Sequence, residues 1–160
     1  MAITLSELKN ILDYDADIGI FTWKIKSGCQ AEGYIAGSST ASGHLKVSIN
    51  GENYRLHNLA WFYVNGVWPI DTLDHINGDK QDNRISNLRE ATLAQNNWNR
   101  GANKNNTMKL KNIIRVRDNY YRVKIEKNGQ KYEAYFHDLN EAIAWRDQKN
   151  KELHGDFAKV

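Results

Sequence analysis

Leu73 to Arg89 reads LDHINGDKQDNRISNLR. A stretch so dense in Asn, Asp and Gly supplies no inward helix face. These side chains hydrogen-bond neighbouring backbone and stabilise turns instead. The chain must make a turn-rich loop here, bounded by short extended pieces. Asp74-His75 ends the first piece, and Ile85 to Arg89 forms the second. Thr92 and Gln95 have capping-box spacing and open a helix that carries Asn96. The unit runs strand, loop, strand, helix, and it gathers a histidine, a carboxylate and the amides Asn87 and Asn96.

The flanking segments are ordinary folded protein. Leu5, Leu8, Ile11 and Leu12 recur at helical spacing, with Thr4 or Ser6 as cap and Asp13 to Gly19 as the end. Ile20 to Ile25 reads as a strand. Residues 27–43 are rich in Gly and Ser and read as loop, with a short extended piece at Tyr34-Ile35-Ala36. Leu45, Val47 and Ile49 alternate with polar residues up to Asn50-Gly51, and alternation resumes after it. Asn-Gly tolerates the positive φ angles of a two-residue turn, so this is a hairpin. Leu59 to Val64 is a helix that stops before Gly66 and Pro69.

The 160 residues suit one domain or two small ones, and 41% hydrophobic with 26% charged residues is a folding composition. No apolar run approaches the roughly 18–20 residues of a membrane span. The first ten residues lack the pattern of a signal peptide, so a cytoplasmic location is expected. The lone cysteine, Cys29, excludes an internal disulfide and a Cys-based zinc site.

Charge is segregated. Residues 1–50 and 51–100 each carry a net −1, while 101–160 carry +5. Residues 100–131 hold ten basic and two acidic side chains. That surplus points to a polyanion such as nucleic acid at one end of the molecule. After a polar linker at 101–111, strands are expected at 113–117, 120–126 and 131–136. A helix follows from Asp138, with Glu141 at capping-box spacing, to His154 before Gly155. Alternation places Ile114, Val116, Tyr121, Val123, Ile125, Tyr132, Ala134 and Phe136 on one face. The other face carries Arg115, Arg117, Arg122, Lys124, Lys131 and Glu133. Leu139, Ala142, Ile143 and Leu153 would cover the apolar face. A basic sheet face of this kind can enter a DNA groove, and it is also what a small domain with a charged surface looks like.

The first constellation suits phosphodiester hydrolysis. A neutral imidazole can deprotonate water, and a divalent cation can stabilise the leaving 3′ oxygen. A carboxylate and an amide carbonyl are hard oxygen donors of the kind Mg²⁺ takes, so Asp74 and Asn96 are candidate ligands. Adjacent residues of a regular strand point to opposite faces, so Asp74 and His75 must sit at a strand end or bend to reach one phosphate.

The run from Asp74 to Asn96 closely resembles the HNH motif of the His-Me finger nucleases, in the subgroup common among phage and intron-encoded homing endonucleases. LDYDADIGIFTWK at Leu12–Lys24 and YRLHNLAWFYVNGVWP at Tyr54–Pro69 resemble that family's lead-in. The resemblance implies a ββα-metal fold, with His75 as general base and Asp74 and Asn96 as ligands of one Mg²⁺ or Mn²⁺. Asn87 would pin the loop and help orient His75, and His57 would lie near the site or be a histidine satisfied within the domain. Many relatives hold structural zinc with cysteine pairs. This chain has none, so no structural zinc is expected.

Residues 112–158 resemble the Apetala-type (ethylene-response-factor-like) DNA-binding domain. The matching segments are Arg115-Val116-Arg117, Tyr121 to Ile125, Tyr135-Phe136 with Asp138 to Ala144, and His154 to Ala158. In the third strand Ala134-Tyr135 replaces the usual Leu-Gly, and Tyr121 replaces the usual Trp of the second. The expectation is an α+β protein with a nuclease domain at 1–100, a linker at 101–111 and a DNA-binding domain at 112–160. It would be a monomer or weak dimer acting on double-stranded DNA, away from membranes, leaving 5′-phosphate and 3′-hydroxyl ends. A DNA-binding protein that has lost cleavage, and a packaging protein using the basic sheet, are the competing readings.

Overall fold

The computed structural model describes residues 3–26, 31–103 and 105–158. Cys29, residues 27–30 of the expected loop and Lys104 of the expected linker lie outside the described residues. The chain divides into two compact units, Met1–Leu93 and Ala94–Val160.

In the first unit, helix α1 spans Leu5–Ile11. Its capping box is formed by Thr4 and Glu7, whose carboxylate accepts from the Thr4 N–H at 2.8 Å. The chain then does something the periodicity does not announce. Leu12–Asp15 is not the end of the helix but a strand, β1, paired antiparallel with β2, Ile20–Trp23. Leu12 and Tyr14 alternate inward along it, and four residues are too few for a period of two to stand out. The piece at Tyr34-Ile35-Ala36 runs beside β2, since Ala36 N–H donates to the Phe21 carbonyl at 2.7 Å.

Strands β3 (Ser38–Ser39), β4 (Leu45–Ile49) and β5 (Glu52–Arg55) form a three-stranded sheet in that order. Asn50 and Gly51 close the β4–β5 hairpin with φ of 52° and 83°, as expected of a primed turn. Helix α2, Leu56–Asn65, ends at Gly66 with φ 73°. Its buried residues are Leu56, His57, Leu59, Ala60 and Phe62, so a histidine sits on the core face. Leu8, Leu12, Phe21 and Leu59 are fully buried at the centre of this unit, with Tyr14 stacked on Phe21 at 4.5 Å. Truncating a buried phenylalanine such as Phe21 costs about 3–5 kcal/mol.

Strands β6 (Thr72–His75) and β7 (Leu88–Ala91) make an antiparallel pair in which Asp74 faces Arg89 and His75 faces Leu88. The expected strand at Ile85 to Arg89 is corrected. Ile85–Asn87 is a turn of 3₁₀ helix, closed by the Asn87 N–H on the Arg84 carbonyl at 2.9 Å, and extension begins only at Leu88.

The second unit begins with helix α3, whose full extent is Leu93–Asn99. The sequence boundary after residue 100 falls behind this helix, whereas the compact units divide after its first residue, Leu93. Trp98 stacks on His154 at 4.5 Å and lies under the Lys127 ammonium at 5.5 Å, which ties the helix to the unit that follows. Strands β8 (Ile113–Arg117), β9 (Tyr120–Lys127) and β10 (Gln130–Phe136) form an antiparallel sheet, and helix α4 (Leu139–His154) packs on it. The Asp138 carboxylate caps α4, accepting from the N–H groups of Asn140 and Glu141 at 2.8 and 3.0 Å. Ile113, Val123, Ile125 and Ala142 are the buried centre.

One face assignment in this sheet is corrected. Ile114 and Val116 are 42% and 51% exposed, while Ile113 is fully buried. Ile114 pairs with Arg122 and Arg115 with Tyr121. Arg115 therefore shares a face with Tyr121, and Ile114 with Arg122. A register shift then falls between Arg115 and Arg117. The doublet Ile113-Ile114 allows either phase, and only packing against α4 selects one.

Candidate active site

His75 is the last residue of β6, the strand-end position that the Asp74-His75 adjacency requires. The two side chains use different faces, as the pleat demands. Asp74, 4% exposed, turns to its cross-strand partner. Arg89 donates to Asp74 Oδ2 from Nε at 2.9 Å and from Nη2 at 2.7 Å. His75, 5% exposed, brings its Nε2 to 3.4 Å from Asn83 Oδ1, at the long end of hydrogen bonding.

The loop between the strands is a lattice of Asx turns. Asn87 holds its two ends together. Its Nδ2 donates to Asn77 Oδ1 at 3.1 Å and to the Asp82 carbonyl at 2.9 Å, and its Oδ1 accepts from the Asn77 N–H at 3.0 Å. Asn87 thus ties the two ends of the loop together. Its tie to His75 is the neighbouring backbone, through the Asn87 carbonyl that accepts from the Ile76 N–H at 2.9 Å. The side chain beside the imidazole is Asn83, which nothing in the sequence singles out from the other asparagines of the loop. Asn83 is almost fully buried, an unusual state for an amide in a loop. Asp82 is gripped by Arg84 at 2.6 and 2.8 Å, which pulls its carboxyl down to about 2.

His75 is one of three clustered imidazoles. His57 on α2 and His44, just before β4, bring ring centroids to 5.1 and 5.9 Å from that of His75. The ligating nitrogens of the three lie within 4.8 Å of one another. Burial lowers the pKa of each. His75 falls below the ordinary imidazole range, opposed by Asn83 and by Asp74, Asp79 and Asp82. His57 is pushed down to about 3 by burial, with His75, His44 and Arg55 adding to it. His44 is pushed to about 4 by burial, then by Arg55 and Lys80. All three are neutral at pH 7. His57 Nδ1 is buried with no hydrogen-bond partner among the described residues. A buried polar atom in that state costs about 1–3 kcal/mol. The motif resemblance brings His57 near the site but does not reach His44. A histidine after Gly43 at the start of an alternating run carries no local signal of its destination.

A divalent cation fits this corner by donor chemistry. A buried carboxylate, the Asp74 ligand candidate, stands next along β6 to the His75 imidazole, on the other face of the strand. Asn96, the other ligand candidate, lies on α3, whose residues from Ala94 onward belong to the second unit.

In the second unit, Arg122, Lys124 and Lys131 share the sheet face opposite α4, interleaved with Glu126, Glu133 and Tyr135. Arg117 lies over the Tyr120 ring at 4.8 Å, and Arg115 pairs with Asp118. A cleft of about 440 Å³ opens beside β8 and β9. Arg100, Lys111, Arg122 and Lys124 line it together with several asparagines, and no carboxylate does among the described residues.

His75 is thus a buried histidine at the end of a two-stranded hairpin, with a carboxylate before it and an asparagine-pinned loop after it. The HNH endonuclease family profile matches residues 54–98, from β5 into α3. Protein 3.8 of Escherichia phage T7 is 33% identical over 107 residues, covering 66% of this chain and 88% of that protein. The uncharacterized HNH endonuclease L560 of Acanthamoeba polyphaga mimivirus is 31% identical over 115 residues, covering 70% of this chain and 59% of its own length. Residues 54–98 are thus similar to the HNH endonuclease family. No solved structure matches it. Among the described residues no helix is long and apolar enough to cross a membrane.

Proposed function

We propose that this protein is a metal-dependent DNA endonuclease of homing type. One observation carries the reading: His75 is a buried imidazole at a strand end, one position after Asp74. A neutral imidazole there takes a proton from the attacking water, with Asn83 and the Asn87-pinned loop restricting its ring. Asp74 would contribute a ligand to a Mg²⁺ or Mn²⁺ ion, which supplies charge stabilisation at the leaving 3′ oxygen. The products would carry 5′-phosphate and 3′-hydroxyl ends.

The second unit acts as the DNA-holding part, and its resemblance to the Apetala-type domain supports this role. Arg122, Lys124 and Lys131 on the open sheet face, with Arg115 and Arg117 at its edge, would contact phosphates and base edges. The cleft with four cations and no carboxylate among the described residues suits a phosphate backbone. The acidic side chains interleaved on the sheet face limit its positive field, so the cleft carries the larger share.

A supercoiled-plasmid assay tests the reading. Nicking or linearisation should appear with Mg²⁺, disappear in EDTA and be abolished in His75→Ala protein that still shifts DNA in a gel. Cleavage at the wild-type rate by folded His75→Ala protein would sink it.

A further inference from the structure

We propose that His44, His57 and His75 form a binding site for a borderline transition-metal ion, Zn²⁺ by preference, and that occupancy of this site switches the nuclease off. The cluster has what such an ion needs. The ligating nitrogens of the three imidazoles lie within 4.8 Å of one another. Tetrahedral Zn²⁺ with Zn–N bonds of about 2.0–2.1 Å needs its ligand atoms about 3.4 Å apart. Small rotations of the rings therefore close the site. Imidazole binds such ions through an unprotonated ring nitrogen. His57 Nδ1 is buried without a hydrogen-bond partner among the described residues, a lone polar atom in search of a ligand.

An outer partner is also in place. Ser42 Oγ lies 3.1 Å from His44 Nδ1, and this interaction orients the His44 ring from outside the cluster. His57 and His75 are almost fully buried, whereas His44 is only partly so, which leaves an entry side. The surrounding charges are mixed. Arg55 and Lys80 oppose a cation at His44, while Asp74, Asp79 and Asp82 favour one at His75. Three nitrogen donors suit Zn²⁺ far better than Mg²⁺, which prefers oxygen. An ion held here ties up the lone pair that His75 would use as a base. The inhibitory consequence rests on the proposed role of His75; the binding itself does not.

The test uses the full chain, stripped with EDTA and dialysed. Co²⁺ should produce visible d–d bands at one equivalent, and Zn²⁺ should abolish them by competition. His44→Asn should weaken Zn²⁺ binding by at least about tenfold, since removal of an outer partner alone costs about 10–100-fold. Ser42→Ala should weaken it less. Micromolar Zn²⁺ should stop nicking in excess Mg²⁺. In His44→Asn protein, nicking expressed relative to its own rate in Mg²⁺ alone should resist that dose. Zn²⁺ binding unchanged in His44→Asn would overturn the site. Zn²⁺ that sustains nicking would overturn the switch. Absence of Co²⁺ bands with Mg²⁺-dependent nicking intact would remove the site and leave the nuclease. Bands present with no nicking in Mg²⁺ would leave the site and remove the nuclease.

Discussion

Tyr14 donates its hydroxyl proton to the carbonyl oxygen of Asn83 at 2.7 Å, across 69 positions of sequence. The side chain of that same Asn83 stands 3.4 Å from His75 Nε2. The N-terminal hairpin therefore braces the loop that positions the candidate base. Gly19 in the hairpin turn completes the brace. With φ 73°, it sits so close to the Asn83–Arg84 backbone that an added Cβ would lie 2.4 Å from the Arg84 nitrogen.

Gly19→Ala should therefore displace the loop. It should lower the cleavage rate and the melting temperature together, with DNA affinity little changed. Tyr14→Phe should cost about 1–3 kcal/mol through the unsatisfied buried carbonyl and lower kcat more than it raises KM. Urea denaturation and single-turnover cleavage check both. A Gly19→Ala protein with wild-type melting and rate would show that the brace does not reach His75.

For His75 itself, His75→Ala should lower the cleavage rate by about 10²–10⁴-fold, the usual share of a general base. The rate should rise with pH as the imidazole gives up its proton and then level off. Because burial lowers this pKa, the plateau should begin below the ordinary imidazole value. A rising limb centred above neutrality would contradict the assignment.

Asp74 has two jobs that a double variant separates. Removing one partner of a buried ion pair costs about 3–5 kcal/mol, so Asp74→Ala confuses a stability defect with a chemical one. Asp74→Asn combined with Arg89→Met removes both charges. This protein should melt close to wild type and should still fail to nick in Mg²⁺. Recovered nicking would mean that the carboxylate serves only its guanidinium partner.

Acid should destabilise the first unit through His57. Its folded pKa is about 3, below the ordinary imidazole value, so the unfolded chain binds the extra proton between them. The contribution is fully present above about pH 6.5 and disappears as pH falls toward the folded value, at up to about 1.4 kcal/mol per pH unit for one proton. Urea unfolding in EDTA at pH 7 and pH 5 measures this. His57→Gln should flatten the dependence; an unchanged slope would exclude His57 as its source.

On the second unit, Arg122→Ala and Lys124→Ala should each reduce the log–log salt dependence of DNA binding by about one for every phosphate that is no longer neutralised. Arg115→Ala should matter less, because the corrected register takes Arg115 off the Arg122 face and Asp118 already engages it. Fluorescence anisotropy across a salt series decides this. A larger effect at Arg115 than at Lys124 would reverse the order.

Local chemistry is legible where a residue's role is set by its near neighbours. Asn50-Gly51 dictates its hairpin, Asp138 caps its helix, and Asp74-His75 ends its strand, because turns, caps and alternation act over a few residues. The motif from Asp74 to Asn96 likewise carries its resemblance and its candidate chemistry. Tertiary structure decided what depends on residues distant in sequence. The face taken by Ile113 rather than Ile114 was set by packing against a helix. The pairing of Asp74 with Arg89 was set by strand register. The meeting of His44, His57 and His75, and the bracing of Asn83 by Tyr14, come from segments that no periodicity links. Their proximity exists only once the core has closed, because burial of Leu8, Leu12, Phe21 and Leu59 fixes where those segments lie.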